Sequence, residues 1–223
     1  MQLARPSYVP ATPPAPEPMH TQQETLVETP PASPPLNLRG HRFAPLTYEA
    51  MSAEQRSMTD QVLAGQRASM QGPYNVFLRS PQMGQLAQQF GAHTRFHSSL
   101  PLKLNELAIL LVARFWRCEF VWWAHARIAL DNGLAPTVVQ AICADQPPPE
   151  LAADEALVYA FASELLAQRR VSDDTYTALV ARFAERGAVD LMGTMSYYAL
   201  VSMALNVDEY PLPDGAVPVF TDV

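Results

Sequence analysis

A thiol, an imidazole and a carboxylate fall close together in the most strongly apolar run of the chain, ELAILLVARFWRCEFVWWAHARIALDNG, residues 106–133. Cys118 and His125 are seven residues apart, and Glu106 lies twelve before the cysteine. On one helix seven residues turn through about 700°, so Cys118, Trp122 and His125 would share a face. Glu106 does not fit that helix, since twelve residues carry it about 18 Å along the axis and about 120° around it. A chain break near Trp116–Arg117 resolves the conflict, and a partner from another subunit is the alternative. With a break, Cys118 opens a second helix, where free N–H groups and the helix dipole lower a thiol's pKa.

That trio allows two kinds of chemistry. His125, held by Glu106, can act as a general acid or base near neutral pH. Cys118, beside Arg117 and at a helix start, can act as a nucleophile, although a free cysteine is as often a small buried hydrophobe. Trp122, four residues from Cys118 and three from His125, is assigned to the pocket wall. Tyr74, Arg79 and Arg95 are the side chains that could bind an anionic substrate, with arginine able to clamp a carboxylate through two parallel hydrogen bonds. His93 and His97 stand at i,i+4 spacing but lack the further ligands a metal requires, so no metal site and no cofactor is expected. Cys143 is not expected to pair with Cys118.

The elements around these residues read as helices. Residues 48–65 form the first, and GPYNVFLRSP an ordered turn. Ser80–Pro81 starts a helix running to about His97, because Ser caps and Pro suits the first helical position. LPLKLNELAILLVARF follows, and the helix after Cys118 stops at Asn132–Gly133. APTVVQAIC, ELAADEALVYAFASELLAQRR, TYTALVARFAERG (ending at Gly187 and capped by Ser172) and AVDLMGTMSYYALVSMALNV complete the set, before an extended tail. Strand-like alternation is absent. The fold class is all-α, with about eight helices. Residues 1–36, which hold ten of the 21 prolines, cannot bury enough apolar surface to order and are read as disordered; residues 37–223 form the domain.

Composition narrows the setting. The net charge of −7 and the lack of a Lys/Arg-rich face argue against nucleic acid. The two cysteines do not make a disulfide framework, and the N-terminus lacks a secretory pattern, which together point to the cytoplasm. No apolar run reaches membrane-spanning length without charges, because Arg114, Arg117 and Glu119 interrupt the best one.

GPYNVFLRSP, SLPLKLNELAILLVARF, CEFVWWAH and SYYALVSMALNVDEYPLP, taken together, resemble the carboxymuconolactone decarboxylase-like family, which includes the AhpD-type alkylhydroperoxidases. The resemblance spans roughly residues 40–220. It implies an all-helical homo-oligomer, a trimer or hexamer, acting on a small-molecule substrate. The family's peroxidase branch carries Glu, Cys-x-x-Cys, and His four residues beyond; Glu106, Cys118 and His125 match, while the second, attacking cysteine is Val121. The decarboxylase branch carries Glu-Trp-x-x-His; Trp122 and His125 match, and Val121 again replaces the first residue. The resemblance therefore implies lactone decarboxylation using His125 and Glu106, or thiol-dependent hydroperoxide reduction at Cys118. The alternative is a non-catalytic ligand-binding or scaffold protein, which Val121 favours.

Overall fold

The computed structural model describes residues 36–220. The segment expected to be disordered lies outside the described residues except for Leu36, which is buried beside Met51 and Met58. Eight helices follow in order: α1 (Ala53–Ala64), α2 (Tyr74–Phe77), α3 (Pro81–Phe96), α4 (Leu102–Phe115), α5 (Glu119–Asp131), α6 (Pro136–Cys143), α7 (Ala153–Gln168) and α8 (Asp173–Asp208). Among the described residues there is no strand.

Helix α4 is the axis of the fold. From Leu104 to Ala113 every side chain but Leu111 is buried, which is the pattern of a helix surrounded by others. It packs against α5, α6, α7 and α8, while α3 leans on α1, α2 and α8. Glu106 and Asn105 are thereby carried into the interior on an otherwise apolar rod.

The break between α4 and α5 falls where the spacing of Glu106 and Cys118 demands it. Arg117 adopts a left-handed φ of 50°. The Cys118 N–H donates to the Ala113 carbonyl at 2.9 Å and the Arg117 N–H to that of Arg114 at 3.0 Å. These two bonds close a helix with a Schellman motif, here with arginine where glycine is usual. Cys118 is then the N-cap of α5. Gly133, at φ 86°, ends α5 with the same pair of bonds, from Leu134 to Ala129 and from Gly133 to Leu130.

Other boundaries shift for local reasons. The first helix starts at Ala53 rather than Tyr48, because Ser52 and Gln55 form a reciprocal capping box. The turn expected at GPYNVFLRSP contains the short helix α2. Ser80 does precede Pro81 at the start of α3, but its side chain makes no capping bond. Gly187 does not end a helix. It lies inside α8, where a Cβ would stand 2.4 Å from that of Phe183, and the interruption falls instead at Ala184, with φ 57° and ψ 174°. By length and mean hydropathy (1.2) α8 is able to cross a membrane, contrary to the expectation that no segment qualifies; half of that stretch is buried within the fold, as in a core helix.

Two clasps secure the ends of the described chain. Buried Asp208 accepts the backbone N–H groups of His41 (3.2 Å) and Phe43 (2.8 Å) through its carboxylate. At the other end, Glu119 in the first turn of α5 accepts the N–H groups of Val219 (2.9 Å) and Phe220 (2.7 Å). Phe220 then lies against Trp122 at 5.4 Å and beneath the Arg114 guanidinium at 5.2 Å.

Candidate functional site

His125 and Glu106 meet across the α4–α5 interface. The His125 Nδ1–H donates to Glu106 Oε2 at 2.7 Å, and both side chains are buried, at 6 % and 1 % exposure. The Schellman turn makes this possible by folding α5 back along α4. Tyr198 of α8 packs edge-on against the imidazole, with ring centres 4.7 Å apart. With Nδ1 committed to Glu106, the other ring nitrogen, Nε2, is left for a ligand.

His125 lines a cavity of about 290 Å³ between α3, α5, α8 and the loop from α1 to α2. Val121, one turn earlier, lines it too, along with Tyr197, Tyr198, Arg67 and Arg95. The position where the family resemblance puts an attacking thiol thus faces the same space as the imidazole, with an unreactive side chain. Arg95, read from sequence as an anion ligand, is on this wall. Arg67 was not singled out; it sits in an irregular loop, AGQRASMQG, with no helical period to mark which way it faces.

Several side chains expected at the site lie elsewhere. Trp122 does not line the cavity: it is 5 % exposed and covered by Phe220, whereas its neighbour Trp123, 45 % exposed, stands on the wall. Tyr74 is buried behind Arg67, whose guanidinium lies 5.7 Å from its ring centre. Arg79 serves the fold, donating to the Ala44 carbonyl and stacking over Phe43 at 5.9 Å. His97 and His93 are tilted neighbours at 6.1 Å, and His93 is within 3.9 Å of Asp190. Among the described residues, no group of three or more His, Cys, Asp or Glu side chains could hold a metal ion.

Cys118 also departs from the expected arrangement. Its ψ of 97° at the cap takes it out of helical register, and it borders a separate cavity of about 190 Å³ with Arg117, Asn206 and Glu209. Burial pushes its thiol pKa up rather than down. The N–H groups of Val121 and Phe120 and the Ser202 hydroxyl counter this only in part, and the Glu119 charge adds to the rise. The helix start therefore supplies its usual help, but desolvation wins. Neither Cys118 nor Cys143 forms a disulfide.

The cavity carries more cationic than anionic character. Arg67 and Arg95 both act electrostatically on Tyr74, Tyr197 and Tyr198, so two guanidiniums and three phenols form one cluster. Burial nonetheless raises all three phenols, Tyr74 to about 12. Among the described residues no carboxylate pairs with either arginine. Tyr197 reaches its place because position 91 is glycine: a Cβ there would lie 2.2 Å from the phenol ring.

The all-helical fold thus places the imidazole of a buried His–Glu pair on the wall of a small, partly open pocket. Residues 81–164 match the Carboxymuconolactone decarboxylase family, which bears out the resemblance drawn from the sequence over the stretch that holds Glu106, Cys118 and His125. Two crystal structures share the fold. One is the alkylhydroperoxidase AhpD core of an uncharacterized peroxidase-related protein from Ralstonia eutropha JMP134, with a TM-score of 0.63 and 14 % identity, covering 78 % of this chain and 92 % of that one. The other is a protein of unknown function from Agrobacterium tumefaciens, a putative antioxidant defence protein AhpD, with a TM-score of 0.55 and 14 % identity, covering 64 % of this chain and 99 % of that one. No curated protein matches the chain.

Proposed function

We propose that the protein is a small-molecule enzyme of decarboxylase type, acting on an unsaturated lactone acid by proton transfer at His125. The observation that carries this reading is the 2.7 Å bond from His125 to buried Glu106 at the wall of the cavity, which keeps a proton-transfer pair although Val121 stands where the decarboxylase box has its glutamate. Glu106 fixes the ring orientation and stabilises the imidazolium, which leaves Nε2–H directed at substrate. As the bond to the departing carboxyl group breaks, CO₂ leaves. Its electron pair enters the conjugated lactone, and charge accumulates on the carbonyl oxygen. A guanidinium near that oxygen lowers the energy of the enolate. His125 then delivers its proton to carbon and recovers it from water. No thiol takes part.

Thiol-dependent hydroperoxide reduction is the second family activity, and it has less support here. It requires an exposed thiolate, and Cys118 is 1 % exposed with its pKa raised by burial. The two are separated by following CO₂ release from γ-lactone acids alongside thiol-supported consumption of cumene hydroperoxide. CO₂ release is expected in the wild type and to fall about 10²- to 10⁴-fold in His125→Ala, with a loss in the same direction in Glu106→Gln. Hydroperoxide turnover abolished by Cys118→Ser, with no CO₂ release from any lactone acid, would overturn the proposal.

A further inference from the structure

Polar atoms of three residues that line the cavity are incompletely satisfied within the protein. Arg67 Nη2 and the hydroxyls of Tyr197 and Tyr198 are buried without a hydrogen bond of good geometry, although the Arg67 guanidinium interacts with the Tyr198 and Tyr74 hydroxyls beside it. A buried donor left unmatched costs folding free energy, so three such groups converging on one space mark a place where something else completes them. Arg67 is further held by Tyr74, which stacks under its guanidinium at 5.7 Å. Its charge has no carboxylate partner among the described residues, and Arg95 on the same wall has none either.

We infer that Arg67 is the specificity-determining residue of this site and holds the carboxylate of a small, flat organic acid. The geometry sets where the acid's other end lies. Tyr198 stacks edge-on against His125 at 4.7 Å and at the same time lies beside Arg67. The anion subsite and the imidazole are therefore separated by about one tyrosine ring. A ligand spanning them has its carboxylate several bonds from the atom that meets His125, so the carboxylate at Arg67 is one the reaction retains. The walls, with Phe120, Trp123, Tyr197 and Val201, favour a planar, unsaturated body. Arg95 lies at the same cavity over Phe96 and adds charge there. This assignment rests on the reading of the cavity as a substrate site, but it concerns binding and is tested without turnover.

The test is calorimetric titration of the full chain with sodium benzoate and with benzamide, its neutral isostere. Benzoate is expected to bind saturably at millimolar concentrations or below, one per chain, and benzamide at least about tenfold more weakly. Arg67→Gln is expected to erase that difference, and Arg67→Lys to reduce it, since an ammonium cannot make the paired bonds of a guanidinium. Arg127→Gln, which alters an exposed arginine bonded to Asp131 at 2.9 Å, should leave benzoate affinity unchanged. His125→Ala should keep benzoate binding while losing CO₂ release, so failure of the proton-transfer reading is distinguishable from failure of the subsite. Equal affinity for benzoate and benzamide in the wild type, absence of saturable benzoate binding, or loss of binding in Arg95→Gln but not in Arg67→Gln overturns the assignment. If Arg67→Gln does not fold by circular dichroism, the wild-type ratio and Arg67→Lys decide.

Discussion

At the scale of single residues, the contrast between His125 and Cys118 is one of environment. Both lie on or at the start of α5, but one meets a carboxylate at a cavity and the other is buried, 1 % exposed, with no cationic or carboxylate partner bonded to its thiol among the described residues. Because burial raises the Cys118 pKa, its thiolate fraction at a given pH is smaller than that of an ordinary cysteine. Iodoacetamide is therefore expected to label Cys118 slowly in the native protein at pH 8 and rapidly once the chain is unfolded in urea, with peptide mass spectrometry as the readout. Fast native labelling at pH 8 would contradict the burial. Glu106 and His125 were legible from sequence because the misfit of their spacing on one helix required a chain break, and the break brings them together. Trp122 was not, because the wall it was assigned to depends on the N-cap geometry of Cys118 and on Phe220, which is about a hundred residues away in sequence. Arg67 was hidden for a related reason: an arginine in an irregular loop has no periodicity from which its direction can be read.

At the scale of elements, punctuation residues set most boundaries, and the exceptions are informative. Gly133 ends α5 as expected, but Arg117 takes the left-handed position after α4 at a cost that only glycine avoids. Gly187 misled because glycine also serves close packing, here under Phe183. Ala184 holds a backbone conformation, φ 57° and ψ 174°, that only glycine adopts without strain. Replacing it with glycine is expected to stabilise the protein by about 1 kcal/mol, the strain relieved exceeding the added freedom of the unfolded chain. Urea unfolding followed by circular dichroism would show the midpoint rise; a lower midpoint would mean that the methyl group packs productively.

For the whole molecule, the helical period of the apolar residues was enough to establish an all-α fold, since eight helices bury one another and little else is required. The assembly is less legible, because exposed apolar residues look alike whether they meet solvent or another copy. Leu86 and Phe90 on α3 and Val189 and Met192 on α8 are exposed on two helices that pack together, Leu86 at 69 % and Val189 at 60 %. If the homo-oligomer implied by the family resemblance uses this face, Leu86→Glu with Val189→Glu should convert it to monomers in sedimentation velocity; an unchanged coefficient would place the contact elsewhere. Alkaline stability is a second property of the whole. Tyr74 titrates at about 12 in the fold against 10.0 ordinarily, and Tyr197 and Tyr198 shift the same way. A phenol whose folded pKa is raised stabilises the protein fully below the unfolded value and loses that contribution as pH rises through the folded one. Stability is therefore expected to fall between pH 10 and 12, by about 3 kcal/mol for Tyr74 alone. Urea midpoints measured across that range test it, and a flat profile would contradict the burial of these rings.

The clasp between Glu119 and the backbone of Val219 and Phe220 gives the protein an internal gauge. Phe220 shields the Trp122 indole, so once Trp116 and Trp123 are replaced by phenylalanine the state of the tail is written in the emission colour of one buried fluorophore. Glu119→Ala removes the acceptor for both N–H groups, and in rising urea the indole of that variant is expected to meet water early. A red shift that precedes loss of helicity would mark the tail as the first part of the fold to let go, on the opposite end of α5 from the turn at Gly133.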